Sequence, residues 1–120
     1  MRFAFLAAVL VIPLVGAEGL WSGKWSSSRN SSGGEIRIKL KPEPEVTFTI
    51  NDREVKTKIA SQKIAEDSFT LDYDFDLSGY HLRSSLTGSI KGSTGEGTYK
   101  TKSLADGSQV DEGTFQVGAK

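Results

Sequence analysis

Cysteine is absent from the 120 residues of this chain, which excludes disulfide staples, thiolate chemistry, cysteine-ligated metal and a lipid-anchored amino-terminal cysteine. Histidine occurs once, at His81, and no zinc signature or serine motif accompanies it. Excess charge is missing as well: 15 Lys and Arg balance 15 Asp and Glu. Neither the basic footprint of a nucleic-acid binder nor a basic patch for anionic lipid is present. After the first residues no segment of a dozen residues shows helical periodicity, so a helical fold is excluded too.

What is present begins with an export signal. Arg2 precedes an uncharged apolar run from Phe3 to Val15, and Val15-Gly16-Ala17 offers the small residues that signal peptidase accepts. The run is short of the about 20 apolar residues that a membrane-spanning helix needs. Cleavage is therefore expected after Ala17, leaving residues 18–120 as one domain in a secreted or periplasmic location. Removing the segment takes away Arg2 and no acid, leaving a formal charge of minus one. Exported domains of this size often rely on disulfides, so hydrophobic closure has to suffice here.

The remaining chain alternates with a period of two. Trp21, Gly23 and Trp25 share one face of a first strand over Leu20–Ser27. Ile36, Ile38 and Leu40 form the inner face of a second, which Pro42 and Pro44 end. Val46, Phe48 and Ile50 follow, then an Asn51-Asp52 turn of the primed type that returns Arg53, Val55, Thr57 and Ile59 to the same face. Residues 60–67 read as the longest connection, with room for a short helical turn. Phe69, Leu71, Tyr73 and Phe75 mark a fifth strand; Leu82, Ser84, Leu86, Gly88 and Ile90 a sixth; Gly95, Gly97, Tyr99 and Thr101 a seventh. On the last strand Val110 has the opposite parity from Phe115 and Val117, so a bulge is expected near Glu112-Gly113. Eight short antiparallel strands predict an all-β, up-and-down barrel in which first and last strands pair. A two-sheet sandwich is the alternative.

Such a barrel is filled by side chains or holds one small ligand. Gly88, Gly95 and Gly97 fall on the inward face, where their missing side chains either leave a concavity beside Tyr99 or make room for Trp21 and Trp25. A carrier requires a cavity of roughly 300 Å³ or more. Gly23-Lys24-Trp25 on the first strand resembles the Gly-x-Trp of lipocalins and of avidins, exported carriers built on such barrels; the resemblance implies a binding protein and assigns Trp25 a packing role. The tryptophans of the later avidin strands and the disulfide and carboxy-terminal helix of lipocalins have no counterpart here. In size, export and strand count the chain is also similar to small periplasmic inhibitors of bacterial metalloproteases, which implies a protein partner instead.

Among residues able to carry chemistry, Asp72, Asp74 and Asp76 align on one outer stripe, where pairing with Arg83 or Lys58 is a better use than metal binding. Glu112 is expected to turn inward at the bulge and to need Arg53 or a tyrosine hydroxyl as partner, because an unpaired buried charge is costly. The candidate ligand-binding set is therefore Tyr99, Arg53, Glu112, Gly95 and Gly97, with no catalytic residue, metal or cofactor. Asn30-Ser31-Ser32 fits a glycosylation sequon. The expected function is non-catalytic binding of a small apolar molecule, or alternatively a protein-interaction or inhibitory role for the outer surface and loops.

Overall fold

The computed structural model describes residues 19–119, so the export-signal reading of residues 1–17 lies outside the described residues. Nine antiparallel strands make up the fold: β1 (Leu20–Ser27), β2 (Gly33–Lys39), β3 (Glu45–Ile50), β4 (Arg53–Lys56), β5 (Lys58–Ile64), β6 (Ser68–Leu77), β7 (Tyr80–Lys91), β8 (Thr94–Ser103) and β9 (Gln109–Ala119). They form one sheet in the order β4-β3-β2-β1-β9-β8-β7-β6-β5, curled into a half-barrel. The pairing of first and last strands is present, with Gly23 opposite Val117 and Trp25 opposite Phe115.

The alternation that the sequence carries sets the inside of the curl. Trp21, Ile36, Ile38, Leu40, Leu71, Leu86 and Phe115 are fully buried there, joined by Phe48, Phe69, Tyr73 and Phe75. Asn51 and Asp52 both have positive φ, 52° and 62°, the backbone of a primed turn whose twist matches its flanking strands. It puts Ile50 opposite Arg53 and Phe48 opposite Val55. Gly92 opens the turn that pairs Ile90 with Gly95, with φ of 62°.

Three features depart from the sequence reading. The fourth strand breaks at Thr57, because there the chain leaves the β3 edge and joins β6 on the other edge of the sheet. Thr57 Oγ1 donates to the Val46 carbonyl at 2.6 Å, a side-chain bond where the backbone ladder stops. The covalent chain, rather than a ladder, thus brings the two edges together. Residues 60–64, expected within a connection, join Lys58 and Ile59 in β5 and raise the count from eight strands to nine; its register shifts between Ile59 and Ser61, which lets Ile59 and Ile64, of opposite parity, both pack against the core. The bulge expected near Glu112-Gly113 lies earlier, at Val110, where Thr101 pairs with Asp111 but Lys102 with Gln109.

Candidate functional site

The two ends of the curl differ. At one, Trp21 approaches Gly95 to 3.7 Å from the place a β-carbon would take, and the Phe69 and Phe115 rings occupy the space that a side chain on Gly88 would need. A β-carbon on Gly97 would fall 1.9 Å from the Thr87 carbonyl oxygen, so its absence permits close strand approach. These glycines therefore serve packing, and none lines a cavity inside the curl.

The other end carries the β1–β2, β3–β4, β6–β7 and β8–β9 connections, and there a cavity of about 190 Å³ opens. Its walls are largely aromatic. Trp25 stands edge-on to Phe48 at 6.0 Å and to Tyr99 at 5.8 Å, and Phe48 edge-on to Phe75 at 5.0 Å between ring centroids, the geometry that ring quadrupoles favour. Trp25 is fixed further by its Nε1–H, which donates to the Thr49 carbonyl at 2.9 Å. Ile36, Ile50, Leu77, Leu82, Leu86 and Val110 add aliphatic surface to the lining.

Two polar groups interrupt that lining. Ser84 and Thr101, both buried, hydrogen-bond one another across β7 and β8, and Tyr73 bonds to Ser84; burial pushes the Tyr73 hydroxyl well above the usual tyrosine range. The second group centres on Asp111. Its Oδ1 accepts from Ser27 Oγ at 2.6 Å and its Oδ2 from the Tyr99 hydroxyl at 2.9 Å. Burial raises the Tyr99 pKa first, and the Asp111 bond and charge raise it further, so Tyr99 is a fixed donor. The β1–β2 loop is tied down beside this carboxylate: Ser28 N donates to the Glu112 carbonyl at 2.8 Å, and Arg29 reaches the Gln109 carbonyl at 3.3 Å.

Of the five candidate residues, Tyr99 alone lines the cavity. Arg53 lies on the expected face but at the strand end, exposed to solvent. Glu112 faces outward opposite Lys100 and pairs with Arg29 at 3.6 Å, because the bulge two residues earlier makes Asp111 the inward carboxylate. Gly95 and Gly97 belong to the packed end. Asp111, Ser27 and the Ser84–Thr101 pair were not selected from the sequence. A signal for Asp111 was present, since it shares the parity of Phe115 and Val117; placing the slip at Val110 brings it inside.

The outer stripe behaves as a set of cross-strand pairs. Asp74 receives both Arg83 Nε and a second guanidinium nitrogen at 2.6 and 2.9 Å, Asp72 accepts from Ser61 and Ser85, and Asp76 contacts His81 Nδ1. No group of three or more metal-ligating residues converges among the described residues. Asn30, the sequon residue, is exposed at the cavity mouth, its Oδ1 accepting from Ser32 N at 2.7 Å. Around the same mouth stand Tyr80, Leu104 and Val110, three of the four large apolar side chains exposed among the described residues.

Fold and site together define an all-β curled sheet with one packed end and one open, aromatic-lined end. Compared with family models, curated proteins and solved structures, the chain matches none.

Proposed function

We propose that this chain is an exported, non-catalytic binding protein that takes a small, mostly apolar molecule into the open end of its curled sheet, in the manner of the lipocalin and avidin barrels it resembles. The observation that carries this reading is the aromatic-lined cavity at one end only. Its volume of about 190 Å³ corrects the size expected of the ligand. It is below the roughly 300 Å³ at which pockets for drug-sized molecules begin, and above the roughly 150 Å³ that admits benzene in an engineered apolar cavity. The ligand is therefore little larger than benzene. Tyr99 and Asp111 act as a fixed polar pair that orients it, and His81 lies outside on Asp76.

A second reading draws on the rim. Tyr80, about two-thirds exposed, Leu104 and Val110 form apolar ground on which another exported protein can dock, with the cavity receiving one of its side chains. Native mass spectrometry of the protein purified from the exported fraction of its host separates the two. A reproducible small-mass adduct lost on denaturation is the result expected of the carrier; a stoichiometric protein partner with no small adduct supports docking instead.

A further inference from the structure

The cavity contains one carboxyl group that forms no ion pair among the described residues, and its chemistry narrows the ligand. Asp111 is the only acidic side chain in the lining, and no Lys, Arg or His stands there to pair with it. Arg29, the cation of the β1–β2 loop anchored beside it, is spent on Glu112 and the Gln109 carbonyl. None of the ion pairs among the described residues includes Asp111. Its two oxygens accept one hydroxyl each, whereas a carboxylate offers about four acceptor sites. Two remain for a donor entering from the mouth.

We infer that the ligand is an organic monocation: a small amine whose ammonium group hydrogen-bonds to Asp111 while its apolar body lies among Trp25, Phe48 and Tyr99. This rests on the binding reading above. A neutral apolar molecule would cover the carboxylate without replacing its water, and an organic anion would be repelled by it. An ammonium supplies charge-assisted hydrogen bonds to the free acceptor sites, and the aromatic lining adds attraction for a cation wherever it presents a ring face. Ser27 and Tyr99, both donating to Asp111, fix the carboxylate in place before the ligand arrives.

Three near-isosteric probes test this by isothermal titration calorimetry on the purified protein: 2-phenylethylamine, 2-phenylethanol and 3-phenylpropionate. The expected order is amine, then alcohol about tenfold weaker, then carboxylate weaker still, the tenfold step reflecting the strength that ionisation adds to a hydrogen bond. Asp111→Asn is expected to erase the advantage of the amine and to leave the alcohol's affinity in place. Equal affinities for amine and alcohol in the parent protein would overturn the amine assignment while leaving the cavity reading intact, and this comparison decides even if Asp111→Asn does not fold. Failure of all three probes to bind would overturn both.

Discussion

Trp25 joins the packing of the fold to its site. The indole belongs to the core cluster and also lines the cavity, and its N–H is held by Thr49 on β3. Its truncation removes ring contacts with Phe48 and Tyr99 and leaves the Thr49 carbonyl without that donor. Trp25→Ala is expected to cost about 3 to 5 kcal/mol, the range for large aromatic deletions from cores, and chemical denaturation measures it. A variant unfolding at the parent's midpoint would show that the residue does not organise the fold. Trp21 is fully buried, but its Nε1–H has no hydrogen-bond partner among the described residues, so its contribution to the packed end there is one of volume. Both tryptophans were legible in the sequence as inward residues, because alternation alone places them. Arg53 was not, since alternation gives the face of a residue but not its depth: at a strand end the same face opens to water. Asp111 was missed through a slip misplaced by two residues, and a slip reverses every face beyond it.

At the scale of strands, β6 and β7 are zipped on their outer face by pairs that the register puts directly opposite: Asp72 with Ser85, Asp74 with Arg83, Asp76 with His81. The Arg83 hydrogen bonds hold the Asp74 carboxyl below its usual range, with the Arg83 and Lys58 charges adding to the effect and partial burial opposing it. A carboxylate depressed in the folded state contributes stability above its unfolded pKa, about 3.9 for Asp, and loses it as pH falls through the folded value. Asp74→Asn should therefore melt below the parent at pH 7, with the gap narrowing as pH falls through the depressed folded value of Asp74. The gap is small because the pair is at the surface and screened. An unchanged gap across that range, followed by circular dichroism, would mean that the pair does not act through its charge. This stripe was readable in advance because oppositely charged residues recur at strand spacing. The break at Thr57 was not: an unbroken alternation from Arg53 to Ile59 hides the point where the chain changes edges, and only the pairing of β4 with β3 and of β5 with β6 reveals it.

For the molecule as a whole, the consequence of nine strands in one curled sheet is an interior divided lengthwise. Phe69, Phe115 and Trp21 fill one end against the glycines of β7 and β8, while the hairpins at the other end leave Trp25, Phe48 and Tyr99 facing a space. The sequence left the inward glycines two uses, a concavity or room for packing, and in the fold they are where aromatic rings and neighbouring backbone come closest, while the concavity arises where side chains converge less fully. Cavity volume depends on three-dimensional packing of rings from four strands, which no periodicity along the chain encodes. We propose that the open end admits a ligand and the packed end does not, and the two tryptophans report on the two ends separately. The direct measurement is a titration of benzene into the protein, labelled with nitrogen-15 and followed by nuclear magnetic resonance at both indole N–H groups. The account predicts a saturable shift of the Trp25 signal and a still Trp21 signal, with the Trp25 response lost when Leu86→Trp fills the cavity. No saturable shift at Trp25, or equal shifts at both indoles, would contradict it.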